Sequence, residues 1–472
     1  MYNKLYLFCI GGTGSRVLNS LTMLLASGVQ LNAKTVVPVV IDTDINSGNL
    51  TDAINNLKSY CEIRKSLSFD GSVKNKFFST EIDLSSIRLR FPNTDNKKFD
   101  EFISFNNLSR EAQAFTSILF SENNLNSDMV VGFKGNPNIG SVVLNQFQQM
   151  DDFIELMSNF EQGDRIFVIS SIFGGTGASG FPLLVKNLRT LNPAIPNQQI
   201  VKDSPIAAIS VLPYFQLEPD SDSAIDSSTF ISKTTAALTY YDRNMKEENV
   251  HYYIGDTVNN QYHNSEGGNT QKNAAHFVEL VSALAIVDFD KINDSDSVLS
   301  VTNGIPENPQ YKEFGLEDAQ ELIFKDFDDN TKALLQSSLT KFLLLEKYLN
   351  EYKIQKTETW FKSRFEDSFL TSSFYSKLLK FTQLYAKWLK ELSENKRSFS
   401  PFELGEHPDA LFDLVKEVKP GRVMSISSNY HLYNDYLNKA QEQIPQGKDV
   451  NTTFIEMFYN GTEKLGNDKK IL

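Results

Sequence analysis

The sequence predicts an α/β protein, with a parallel sheet flanked by helices over residues 1–290 and a mainly helical C-terminal domain over 291–472. Three observations lead there. Short apolar, β-branched runs alternate with helical stretches up to about Asp290, the pattern of parallel strands joined by crossover helices. Glycine clusters stand directly after two of these runs and before a helical stretch. Between Gly315 and Pro401 there is neither Gly nor Pro, and apolar residues recur at helical spacing.

The strands are expected at Leu5–Ile10, Val36–Ile41, Met129–Val131, Arg165–Ser170, Pro205–Leu212 and Val250–Ile254. A long central helix is expected at Asn269–Phe289, and the polar, Pro-containing stretch Asn293–Gln310 reads as a linker or loop cluster. In the C-terminal region, the stripes Leu335, Leu339, Phe342, Leu343 and Leu378, Tyr385, Trp388, Leu392 are expected to pack a core.

Composition narrows the function. The 472 residues carry a formal net charge of −13, which disfavours a nucleic-acid partner because phosphate backbones select basic faces. Cys9 and Cys61 are the only cysteines, and Cys9 lies in an apolar run, which suits a reducing cytoplasm rather than a disulfide framework. The run before Gly11 is too short for a secretory segment, and Ala274–Phe289 falls short of the roughly 18 apolar residues a membrane span requires. A soluble, cytoplasmic protein with no membrane span is expected.

The chemistry is concentrated in the glycine loops. Gly11, Gly12, Thr13, Gly14 and Ser15 follow the first strand; Gly174, Gly175, Thr176, Gly177, Ala178 and Ser179 follow the fourth. Glycine lets backbone N–H groups approach an anion, and the following helix N-terminus adds a favourable dipole. A third loop runs from Gly132 through Lys134, Gly135 and Asn136 to Gly140, and Lys134 is a candidate for neutralising phosphate. Asp42 and Asp44 close the second strand, and Glu218 follows the strand from Pro205, places suited to ribose hydroxyls or Mg2+. No G-K-[ST] follows a glycine loop, the five His lack metal-ligand spacing, and no metal site in the protein itself is expected. An NAD-dependent oxidoreductase would use the first loop alone and leave the others without a role.

Taken together the loops carry a family resemblance. Phe173–Gly180 resembles the tubulin signature GGGTGSG, departing from it at Phe173 and Ala178; Ile41–Asp44 resembles the I-N-T-D segment of FtsZ. Gly135–Gly140 reads GNPNIG, close to the GNPEIG of FtsZ, and Pro213–Glu218 is similar to its PFxFEG loop. All stand in the family's chain order over roughly the first 290 residues. The resemblance to the tubulin/FtsZ superfamily implies a Rossmann-type sheet holding GTP or GDP with Mg2+, phosphates on the three loops and ribose at Glu218. It places the base near Asn273 and His276. Val287–Asp290 is similar to the VDFAD of FtsZ, so Asp288 and Asp290 are the candidate catalytic acids, serving a neighbouring subunit's site. The expected function is GTP binding with head-to-tail self-association into filaments and assembly-dependent hydrolysis. The alternative is a non-polymerising, nucleotide-gated interaction module whose C-terminal helices bind a protein partner.

Overall fold

The computed structural model describes residues 2–44, 46–70, 74–89, 94, 97–129, 133, 135–218, 229–257, 260–262, 268, 272–314, 320–405, 411, 413–418 and 428–472. Strands β1 (Lys4–Ile10), β2 (Thr35–Ile41), β3 (Glu81–Ile82), β4 (Arg165–Ser171), β5 (Ile206–Val211), β7 (Val250–Ile254) and β9 (Gln310–Phe314) form one sheet. Its order is β9-β7-β5-β4-β1-β2-β3, and every neighbouring pair is parallel. Strands β6 (Phe215–Leu217) and β8 (Asn260–Tyr262) pair with each other outside it. The central strands are buried along their length, as a parallel sheet covered on both faces requires.

Helices α1 (Gly11–Ala26) and α2 (Gly48–Lys65) follow β1 and β2, α3 (Pro137–Leu144) follows the third glycine loop, and α4 (Gly175–Arg189) follows β4. Helix α5 (Phe230–Asn244) leads to β7, and the central helix α6 (Phe277–Asp290) packs against α1, β5 and β7. The helical C-terminal region contributes α7 (Asp329–Lys347), α8 (Ser373–Glu394), α9 (Asn429–Gln443) and α10 (Val450–Lys469).

Two expectations need correcting, and a third falls largely outside the described residues. The central helix starts at Phe277, not Asn269: residues 272–276 carry no helix, 269–271 lie outside the described residues, and His276 caps the helix by accepting from Val278 N at 3.1 Å. The stretch 293–310 is not simply a linker, because Gln310 opens an edge strand that pairs with β7. Its composition, QYKEF with mostly exposed side chains, hid it. The strand expected at Met129–Val131 falls, beyond Met129, outside the described residues.

Nor do the C-terminal helices have a core to themselves. Leu335, Leu339, Phe342 and Leu343 are buried as their spacing predicts, but Phe342 packs edge-on against Phe77 and Phe78, ring centroids 5.1 and 5.6 Å away. Phe381 meets Phe78 at 5.2 Å, and Tyr459 meets Phe77 at 5.0 Å. One apolar cluster thus runs from Tyr2 to Ile471, and aromatic edge contacts weld the helical region to the segment after α2.

Candidate functional site

Parallel strands deliver their following loops to one edge of the sheet, so the first and fourth strands place two glycine loops side by side. Gly11 has φ +69°, a left-handed conformation glycine adopts without strain, and a Cβ there would sit 3.5 Å from Thr176 Cβ. The third loop closes the other side. A Cβ on Gly175 would lie 3.1 Å from Asn136 N and 3.2 Å from Gly135 N. Gly14 and Gly177 have a different purpose: a Cβ would meet Cys9 C and Ser171 O, each at 2.5 Å, so these glycines let helix and strand touch.

The helix starts at this edge share a second property. No side chain caps α1, α3 or α4; their N-cap positions are Ile10, Asn136 and Gly174. By contrast Asp328, Ser372, Ser428 and Asp449 each accept from the first turn of α7 to α10. Helices leave their first N–H groups without intrahelical acceptors, and three converging uncapped starts gather such donors with aligned dipoles. The arrangement suits a multiply charged anion.

Around the loops the other sequence-selected residues separate into groups. Asp42 lies at the end of β2, where burial pushes its carboxyl up to about 7, and one oxygen accepts from Asp44 N at 3.1 Å. Asp44 is engaged on both oxygens, by Asn46 N at 3.2 Å and Gly268 N at 2.7 Å. Between them Thr43 Oγ1 is buried without a partner among the described residues. Glu218 is exposed after β6 and Lys134 lies outside the described residues. Among the described residues no group of three or more acidic, His or Cys side chains could hold a metal. A Mg2+ ion here would take its oxygens from phosphate and water.

Several features escaped the sequence. Arg16, one turn into α1, is buried and donates to Glu279 Oε1 at 2.6 Å and the Tyr214 hydroxyl at 2.5 Å, while a weaker contact reaches Thr13 Oγ1 at 3.4 Å. Members of this cluster lie up to 263 positions apart, so no local pattern signals it. Lys233 of α5 brings its Nζ within 3.3 Å of where a Gly135 Cβ would be, a cation over the third loop. Beside Arg16 opens a cavity of about 390 Å³, lined by Arg16, Asn49, Asn273, Glu279 and Trp388 among others. Helix α8 therefore supplies one wall. It is fastened there by Ala275 N donating to Glu391 at 2.9 Å and Asn395 Nδ2 donating to Ala275 O at 2.8 Å.

Asn273 lines that cavity but His276 does not. The His276 ring is buried against Tyr214, centroids 4.8 Å apart, and burial, then Arg16, lowers its pKa to about 3. It is a neutral capping residue rather than a base contact.

The candidate acids also part company. Asp290 is fully buried: Oδ1 accepts from the Tyr2 hydroxyl at 2.8 Å and Ala33 N at 3.0 Å, and Oδ2 from Asn32 N at 2.5 Å. Both oxygens are spent fastening the amino end of the sheet, so Asp290 is not a catalytic acid. Asp288 is half-exposed and bonded to the Tyr252 hydroxyl and Lys312, each at 2.6 Å.

No family profile and no curated protein matches the sequence. Solved structures do. Parts of the chain align with two CetZ structures. CetZ from Methanosaeta thermophila strain DSM 6194 is 16% identical over 63% of this chain and 56% of that one, with a TM-score of 0.32. CetZ2 from Haloferax volcanii, solved as a GTPγS-bound protofilament, is 14% identical over 62% and 61%, with a TM-score of 0.29. The chain thus spans less than two thirds of either CetZ chain.

Proposed function

We propose that this chain is a GTP-binding, tubulin-like protein that holds GTP or GDP, with Mg2+, at the carboxyl edge of its sheet. One observation carries the reading: three helices, α1, α3 and α4, begin without side-chain caps around glycines packed so closely that Gly175 lies against the backbone N–H groups of the third loop. Their donors would take the phosphate oxygens, and Lys233 would add positive charge. Asn273 is the base contact retained from the sequence, and Glu218 the ribose contact.

Self-association follows from the same family logic, head to tail, with open filaments where the rotation between subunits does not close. Hydrolysis then requires an acid from a neighbour, and only Asp288 remains a candidate. Because Asp290 is consumed by the fold and Asp288 is paired with Lys312, the second reading gains weight: a nucleotide-gated module whose C-terminal helices bind a protein partner. Calorimetry with GTP, GDP, ATP and NAD tests the binding claim, and tight NAD binding with none of GTP would sink it. Negative-stain microscopy with GTP, with GDP and without nucleotide separates filament from module.

A further inference from the structure

The two edges of the seven-stranded sheet are finished differently. At one edge β3 is two residues long, and α2 takes the carbonyls just before it: the Tyr60 hydroxyl donates to Thr80 O at 2.9 Å and Arg64 Nε to Ser79 O at 3.2 Å. At the other edge β9 runs for five residues and, among the described residues, pairs with β7 alone. Gln310 N donates to Asn249 O at 2.9 Å, which sets the alternation along the strand. Gln310, Lys312 and Phe314 turn their backbone groups to β7, and Tyr311 and Glu313 turn theirs outward. An edge of this kind is a template for another strand.

The side chains around β9 say what that strand would carry. Tyr311 is 65% exposed, and Glu313 is exposed on the same face. Burial, then Glu248, Asp242 and Glu247, raises the pKa of the Tyr311 hydroxyl, so the charges acting on this face are carboxylates. The one cation of β9, Lys312, lies on the opposite face, where Asp288 holds it at 2.6 Å. That opposite face borders a cavity of about 340 Å³ lined by Val281, Leu284, Phe314 and Phe327 among others. We propose that β9 is a docking edge for an extended basic peptide, which adds to the sheet as a further parallel or antiparallel strand. The peptide backbone bonds to the outward N–H and C=O groups of Tyr311 and Glu313. Lys or Arg at every second position meets Glu313 and the carboxylates around Tyr311, and apolar residues between them lie toward the cavity. Main-chain bonds give such a complex its affinity, and the alternate side chains and charge complementarity give it specificity. The proposal does not depend on the nucleotide reading.

The test titrates the full chain by calorimetry with short blocked peptides: alternating Lys-Val, alternating Glu-Val, and Lys-Val with every backbone nitrogen methylated. Deuterium exchange over 310–314 is followed alongside. The Lys-Val peptide should bind, more weakly as salt is raised, and should slow exchange in that segment. The Glu-Val peptide should not bind, and the methylated peptide should bind at least about tenfold more weakly. Tyr311→Pro removes an outward N–H without breaking a bond to β7, and should weaken Lys-Val binding by at least about tenfold. Should that variant fail to fold, Glu313→Lys changes only an exposed side chain, and should weaken the Lys-Val peptide while admitting the Glu-Val one. No binding of the Lys-Val peptide overturns the proposal. Binding that withstands both backbone methylation and the folded variants also overturns it, since charge alone would then account for the complex. Self-association of the free chain that Tyr311→Pro abolishes, measured by ultracentrifugation, would put a second copy on this edge and overturn the basic peptide as its occupant.

Discussion

The two ends of the sheet treat polar groups in opposite ways. At the amino end, Asp290 accepts three hydrogen bonds, and Asp164 accepts from Lys4 N and Glu161 N, each at 2.9 Å. Arg165 donates there to Phe289 O at 3.1 Å, Ile292 O at 2.8 Å and Asp294 at 2.6 Å. At the carboxyl end, three helices start uncapped, and Thr43 Oγ1 and Asn49 Nδ2 are buried without partners. Buried polar groups in folded proteins are ordinarily paired, and the contrast is one of degree, because Glu248 Oε1, just before β7 at the amino end, is also buried without a partner among the described residues. The charged residues that look most catalytic in the sequence lie at the saturated end.

The largest effect should come from breaking the amino end. Asp290→Ala orphans two backbone N–H groups and a tyrosine hydroxyl, and should cost about 3–5 kcal/mol in urea unfolding. Nucleotide affinity of the folded fraction should not change. A loss below about 1 kcal/mol would mean the clamp is not a stabilising feature.

Next comes the carboxyl end. Gly175→Val places a branched side chain 3.1 Å from Asn136 N, and should lower nucleotide affinity by at least roughly a hundredfold with a much smaller change in stability. Unaltered affinity in a folded variant would reduce Gly175 to a packing residue.

These two ends were unequally legible. The glycine loops could be read as close-packed turns because glycine is the only residue that fits at some of their positions: Gly14 and Gly177 leave no room for a Cβ, and that requirement is written locally in the sequence. The saturated end depends on partners far apart, such as Tyr2 with Asp290, so Asp290 looked like a free acid. The helical stripe through Trp388 was correctly read as buried, yet burial alone did not say that the same residue would line a cavity shared with α1 and α2. Strand β9 was missed because an edge strand need not be apolar.

A pH dependence sharpens the contrast, since Asp42 is the carboxyl at the open end that its surroundings fail to stabilise as an anion. Burial raises its pKa from 3.8 to about 7, so the native state favours the protonated form. Its contribution to stability is therefore fully present below about pH 4 and is lost as pH rises through 7. Asp42→Asn mimics the protonated form, and should remove up to about 4 kcal/mol of the stability difference between pH 4 and pH 8 in urea melts. An unchanged profile would show that Asp42 is ionised throughout.

The smallest expected effect on stability decides most about function. Asp288 sits two residues before Asp290 on the same helix, but it is half-exposed and its partners are a tyrosine hydroxyl and a lysine at the surface. Ion pairs of this kind contribute about 0–1 kcal/mol, so Asp288→Ala should leave folding nearly unchanged. Its effect on hydrolysis is expected to depend on assembly. Phosphoryl transfer needs a positioned water, and the described residues of the three glycine loops carry no acid that would supply one within the chain. In a head-to-tail filament, the far end of α6 would face the next subunit's nucleotide. Phosphate release per subunit should then rise with protein concentration in the wild type and fall at least tenfold in Asp288→Ala, with GTP affinity retained. Hydrolysis that is independent of concentration and survives the substitution would break the link between the two ends of the sheet. The carboxyl end would then act alone, as the nucleotide sensor of an interaction module whose output runs through α8.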